Sequence, residues 1–401
     1  SLARNWQSTK YGTNIMEALQ RLHNRGSIST ASYDVDNSVK LQTSGVNSEF
    51  FNYTISSAGS RTKGTVSMWI KRSKLGTVQY LWEQGDTDND NGRLFARFGT
   101  DDTLRVAGGS TVFLNTNRVF RDTSAWYHIV VAIDTTSGTA DNRARIYVNG
   151  VEETSFSTRN NFSQNDNTGM NFEKQYIGLS IADSSSYQSF SGYMAEVFGS
   201  DGLVYAASDF GEFDSASGIW KPKDITGLSV GTNGFLMKFE NAGSMGANSA
   251  GSGHAFSVQN INQNDQATDT PTNNFCTLNP NVNFKYTTNG IIQGGTLFGE
   301  NTGGGIGGAF GTFGVSTGKW YWEVKLTDTV SHYIGVSAID DGDNVTSSSD
   351  PHEINSTFRF NISAARREYV NSGSQTYGSL DEFSDFHSAG DIIGIALNMD
   401  D

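Results

Sequence analysis

Three short stretches of this 401-residue chain carry residue types that do chemistry, and each must be weighed against what surrounds it. GDTDNDNG (85–92) sets Asp86, Asp88 and Asp90 at alternate positions. Calcium takes several oxygens from one flexible loop, so these are the candidate metal ligands; a solvated acidic turn is the plainer reading. The glycine falls one place late for an EF-hand, and no glutamate stands at the twelfth position. Asp340, Asp341 and Asp343 form a looser version of the same cluster. GVSTG (314–318) has the spacing of a nucleophile elbow around Ser316. That chemistry needs a helix after the serine, whereas the following KWYWEVKL alternates like a strand. Gly303, Gly305 and Gly308 match a dinucleotide fingerprint, with no helix to receive the pyrophosphate. The histidines at 23, 128, 254, 332, 352 and 387 have no zinc-ligand spacing, and His128, inside an apolar strand, reads as a satisfied core residue.

Glycoside cleavage requires two carboxyl groups flanking the bond, one as acid and one as nucleophile or base. Glu196 in GYMAEVFG and Glu323 in KWYWEVKL each stand alone on their strands. A pair could form only between separate strands, so the expectation is a protein that is not an enzyme and takes no organic cofactor. Aromatic faces suit the apolar side of a pyranose. Trp82, Tyr80, Trp126 and Tyr187 are the aromatics considered for this role, with Trp82 and the loop residue Tyr187 as the candidate glycan contacts. Cys276 is the only cysteine, so no intrachain disulfide forms, and it reads as a small buried apolar residue.

The elements that must position these residues are almost all strands. Glycine is frequent (45), proline scarce (4) and aromatics make up 12% of the chain, which suits many short strands joined by polar turns. One helix is expected near the start. Asn14 caps it with Glu17 three places on, Ile15, Leu19 and Leu22 form a narrow apolar stripe, and Gly26 ends it. A helix this short needs something to pack on, so Ile15, Leu19 and Leu22 are the candidate docking residues, facing their own domain, a sister chain or another protein. From Ser32 the period becomes two. In TVSMWIK, Val66, Met68 and Ile70 face one way, with Ser67, Trp69 and Lys71 opposite. HIVVAID (128–134) is apolar on both faces and should be central. RIYVNGVE places Asn149-Gly150 between apolar strands, the strongest short hairpin signal. Later strands are QYIGLS, GYMAEVFG and GFLMKFE; then 241–283, rich in Gly, Ser, Asn, Gln and Thr, reads as a polar linker. After it, KWYWEVKL puts Trp320, Trp322, Val324 and Leu326 on one face. SHYIGVSA, STFRFNI and DIIGIALNMD complete the pattern.

Residues 32–240 resemble a laminin-G-like, concanavalin A-like lectin/glucanase domain. The resemblance rests on DVDNSVKLQ, VSMWIKRS, AWYHIVVAID, RIYVNGVE, QYIGLS and FSGYMAEVFGSDGLVY in that order. Residues 284–401 resemble a SPRY domain through STGKWYWEVKL, HYIGVSA and GDIIGIALNMDD, without the glycine turn and strand that usually follow. The expected fold is therefore all-β: an antiparallel jelly-roll sandwich, then a second, incomplete SPRY-like sandwich. Residues 1–31 would be a docking segment. The pairing of the two domains, with DTPTNNFCTLNPN between them, is similar to tail-fibre and appendage proteins of marine tailed bacteriophages.

That resemblance implies a virion protein that docks to the particle and presents its sandwiches to a glycan or protein on the host surface. Its partners would be other virion proteins and sister chains, as a trimer by likeness to fibres. Two other readings stay open: a capsid or tail decoration protein without receptor binding, and a glycan-degrading enzyme. The net charge of −14 disfavours nucleic acid and anionic membranes as partners. SLARNWQSTKYG lacks the apolar core of a signal peptide, so synthesis in a host cytoplasm and residence in the virion are expected.

Overall fold

A computed structural model describes residues 33–43, 48–86, 92–180, 188–283, 290–300, 309–328, 333–337, 357–361, 366–371, 374–379 and 388–400. The chain divides into two compact units. One comprises residues up to Thr277 with Ile292–Thr296; the other comprises Leu278–Ile291 with Leu297–Asp401. Ile15, Leu19, Leu22, Asp88, Asp90 and Tyr187 lie outside the described residues, as does the expected N-terminal helix.

The strands of the first unit run in chain order. They begin β1 (Ser38–Leu41), β2 (Phe50–Thr54), β3 (Lys63–Arg72), β4 (Gln79–Gly85), β5 (Arg93–Phe98) and β6 (Thr103–Gly108). Next come β7 (Thr111–Val119), β8 (Tyr127–Asp134), β9 (Ala144–Val148), β10 (Val151–Glu152), β11 (Phe156–Arg159) and β12 (Lys174–Ile177). The last are β13 (Gly192–Gly199), β14 (Gly211–Phe213), β15 (Trp220–Pro222), β16 (Phe235–Met237), β17 (Ser257–Gln259) and β18 (Gln266–Ala267). They build two eight-stranded antiparallel sheets. The first has the order β10-β9-β8-β3-β13-β1-β18, with β16 also pairing β13. The second has the order β11-β7-β6-β5-β4-β12-β2-β17. This is the concanavalin A-like jelly-roll sandwich that the resemblance of residues 32–240 implied.

Alternation fills the space between the sheets. Val66, Met68 and Ile70 of β3 and Ile129, Val131 and Ile133 of β8 meet Leu81, Trp82, Leu94, Ala96 and Phe98 of the second sheet in one buried cluster. β8 is central, between β3 and β9. Asn149 (φ 48°) and Gly150 (φ 79°) make the turn that returns β9 onto β10, with Val148 opposite Val151.

The other face of the first sheet is buried too, which explains why β3 and β13 are covered along nearly their whole length. Ala207, Phe210, Ile225 and Val230 pack on Val130, Ala132, Phe198 and Leu236. Val35 packs with Trp69, Trp126 and Tyr193. Several polar groups on this face are closely matched. Lys71 Nζ donates to Asp269 Oδ2 (2.8 Å), Asn274 Oδ1 (2.8 Å) and the Phe275 carbonyl (2.5 Å), while Trp126 Nε1 donates to Asp269 Oδ1 (3.0 Å). His128 accepts at Nδ1 from Trp220 Nε1 (3.1 Å), which leaves its Nε2–H to face Ser67 Oγ (2.9 Å). Burial pushes this imidazole down to about 3, so it stays neutral, a satisfied core residue as its strand position suggested.

The polar stretch 241–283 differs from the expected linker. Met245, Phe256 and Ile261 enter the main core, β17 extends the second sheet at β2, and β18 extends the first at β1. Asp269 closes the ion pair with Lys71. The segment up to Thr277 is thus part of the first unit, held by scattered anchors and a capped turn at Asn262 rather than by a periodic apolar face. Leu278–Asn283 is a strand of the second unit. Cys276 is exposed rather than buried, because it sits in the irregular end of this segment.

In the second unit Lys319–Lys325 pairs antiparallel with Ile392–Asn398, from Lys319 opposite Asn398 to Lys325 opposite Ile392. Trp320, Trp322 and Val324 are half-buried and alternate with exposed Lys319, Tyr321, Glu323 and Lys325, as the sequence pattern required. Tyr333–Ser337, Thr357–Asn361, Arg366–Asn371 and Ser374–Ser379 form a four-stranded antiparallel sheet.

Candidate functional site

The outer face of the second sheet gathers the residues best suited to hold a ligand. Its composition follows from one irregularity. Tyr80 pairs with Arg97 and Trp82 with Ala96, so β4 carries one extra residue at Leu81. This β-bulge breaks the alternation. Leu81 and Trp82 both enter the inter-sheet core, while Tyr80 joins Phe95 and Ala107 in a separate cluster on the outer face. Trp82 is 1% exposed, so its ring has no free face and the glycan contact expected there is withdrawn. Tyr80 and Trp126 are buried as well.

Beyond the bulge the outer row is read directly from the register. Phe95 pairs with Ala107 and Glu83, Glu83 with Tyr176, and Tyr176 with Asn52. Phe50 and Tyr176 are half-buried and stack at 5.9 Å with 16° between their planes. The sequence reading missed this pair. Its signal was present, because Phe51 and Ile177 are buried core residues and their strand neighbours must point outward.

Arginines line the same face. The Arg97 guanidinium lies 5.4 Å from the Tyr80 ring centroid and 5.6 Å from that of Phe95. Arg93 donates to Glu83 in a buried ion pair and lies 5.6 Å from the Phe95 ring. Arg105, opposite Arg97, donates to Asp101 Oδ2 (2.8 Å) and Asn115 Oδ1 (3.2 Å). Burial pushes the Tyr80 phenol up, so its hydroxyl remains protonated near neutrality. Half-buried Phe50, Tyr176, Asn52 and Arg97 thus offer a stacked ring pair, an amide and a planar cationic donor, while Tyr80, Phe95 and Glu83 lie buried on the same face.

The other sequence candidates are dispersed. Asp86 is half-buried at the mouth of the β4–β5 turn, where its backbone N–H donates to the Gly92 carbonyl (3.3 Å). Among the described residues no group of three or more His, Cys, Asp or Glu side chains is placed to hold a metal ion. Ser316 precedes a strand, Lys319–Lys325, and no helix follows it. Glu196 is buried at a bulge in β13 (φ 46°), accepts from the Tyr33 hydroxyl at Oε1, and has no described partner at Oε2. Burial, with the nearby Asp224 and Glu240 carboxylates, pushes it up to about 7 despite the Tyr33 bond and Lys238. Among the described residues no helix is long and apolar enough to cross a membrane.

A family comparison agrees with the sandwich. Residues 46–199 match a laminin-G-type family model described as the concanavalin A-like lectin/glucanases superfamily. No curated protein matches the chain. Among solved structures, a heptameric SAP-like pentraxin from Limulus polyphemus is similar at 17% identity, over 43% of this chain and 80% of that one, with a TM-score of 0.33. A putative carbohydrate-binding protein from Bacteroides ovatus is similar at 17% identity, over 53% of this chain and 61% of that one, also with a TM-score of 0.33.

Proposed function

We propose that this chain recognises carbohydrate without transforming it, on the outer face of the second sheet of its first unit. The observation that carries the reading is the stacked, half-buried Phe50–Tyr176 pair beside Asn52, with the arginines further across the same sheet face. A pyranose needs an aromatic surface for its C–H face and polar groups at the edge for its hydroxyls, and this arrangement offers both. A lectin-type family match over 46–199 supports the same class. Glu83, which pairs with Tyr176, is buried and held by Arg93, which suits it poorly for proton transfer.

The wider setting is a tail-fibre-like appendage of a tailed bacteriophage, with a SPRY-like second unit, supported by the motif order in the sequence. Sister chains in an oligomer would raise modest single-site affinity through multivalency. The binding role is tested by applying the full chain to a panel of immobilised neutral and acidic glycans. Binding that falls when Tyr176 is changed to Ala is expected; a chain that retains no glycan contradicts the reading. The appendage role is tested by labelling intact particles with an antibody to the chain. Label on tails is expected, and label spread over the capsid favours decoration.

A further inference from the structure

The geometry points to a saccharide bearing an anionic group, carboxylate or sulfate, as the ligand of this face, with Arg97 receiving the anion; this rests on the carbohydrate-binding reading above. Arg97 and Arg105 stand directly opposite each other on β5 and β6. Like charges in that position weaken a strand pair. Arg105 is neutralised by Asp101. Arg97 is not: among the described residues no oxygen accepts from its guanidinium, and its Nε is buried without a partner. Among the described residues, the rings of Tyr80 and Phe95 support it.

That support is what makes the group useful. Two aromatic rings beneath a guanidinium hold its planar fork in place before a ligand arrives, so less side-chain freedom is lost on binding. The fork matches carboxylate or sulfate, each of which can accept two parallel N–H donors. The rest of the chain argues against a bare polyanion. A net charge of −14 gives such a molecule no general attraction. The anion has to arrive on a scaffold that reaches from the Phe50–Tyr176 stack on β2 and β12, across β4, to Arg97 on β5, and an oligosaccharide is such a scaffold.

The test uses one backbone in three forms: dextran, carboxymethyl-dextran and dextran sulfate, with polyglutamate as a polyanion lacking sugar. The full chain should bind at least one anionic dextran about tenfold tighter than dextran, the gain expected from a charge-assisted hydrogen bond. The gain should shrink on raising salt from about 50 to about 500 mM. Arg97→Gln should abolish it, and Arg97→Lys should keep part of it. Asp101→Asn, which removes the carboxylate beside Arg105, should strengthen it; this variant keeps the test valid if Arg97→Gln unfolds. Comparing the two anionic forms separates carboxylate from sulfate. Equal binding of all three dextrans, an Arg97→Gln protein with undiminished preference, or polyglutamate bound as tightly as the sugars would each overturn the inference. Binding to neutral glycans alone overturns it while leaving the carbohydrate reading intact; failure on every saccharide overturns both.

Discussion

The two sheets of the first unit share one core but treat their outer faces in opposite ways. The first sheet is roofed by Ala207, Phe210, Ile225 and Val230, and by the segment that carries Asp269. Lys71 is matched there with Asp269, and His128 with Trp220 and Ser67, while Glu196 Oε2 and Arg145 Nε are its buried polar atoms without a described hydrogen-bond partner. The second sheet's outer face is laid with arginines over aromatic rings, and Arg97 has no described hydrogen-bond acceptor. Satisfied buried polar groups fix a structure, whereas a positioned but unanswered donor is suited to a ligand. Substitutions on the two faces should therefore separate into stability effects and binding effects.

The largest stability effect belongs to the roofed face. Asp269→Ala leaves the Lys71 ammonium buried without its charge partner and should cost about 3–5 kcal/mol in denaturant unfolding. Changing both Lys71 and Asp269 to well-packed apolar residues should recover much of that loss. A comparably small loss in the single variant would mean that Lys71 is not sealed from water.

Glu196 should contribute the next effect, and it depends on pH. The folded chain keeps its proton up to about pH 7, while the unfolded carboxyl releases it near the ordinary 4.5. This group's contribution is intact below pH 4.5 and is lost as pH rises through 7. The full loss is about 3 kcal/mol, at 1.4 kcal/mol per unit. Glu196→Gln should flatten the decline between pH 4.5 and 7 in thermal unfolding. His128 acts in the opposite sense. Its folded value of about 3 lies below the ordinary 6.5, so stability falls as pH drops across that window.

The smallest stability effect is expected on the arginine face. Arg97→Gln removes ring contacts worth about 1 kcal/mol or less, yet it should be among the most damaging changes to anionic saccharide binding. A large loss of stability there would make Arg97 a structural residue and blur the contrast between the faces.

Much of the architecture was legible in the sequence because strand period is a local signal. HIVVAID became central β8, and Asn149-Gly150 turned where their positive φ allowed. GYMAEVFG matched β13 residue for residue. What escaped was non-local. Simple alternation puts Tyr80 and Trp82 on the same face; the bulge at Leu81 separates them, and only the register with β5 reveals it. Residues 241–277 carry no period, since single anchors such as Phe256 and Asp269 dock onto strands far away in sequence. The Phe50–Tyr176 pair joins β2 to β12, a juxtaposition that neither strand shows alone.

The most direct test of the central claim is amide hydrogen exchange on the full chain with and without the tightest-binding dextran derivative. The account predicts added protection in Gln79–Gly85, Arg93–Phe98 and Lys174–Ile177, the strands that carry Tyr80, Arg97 and Tyr176. Protection confined to the roof around Gly211–Phe213 and Trp220–Pro222, with those three strands unchanged, would contradict it.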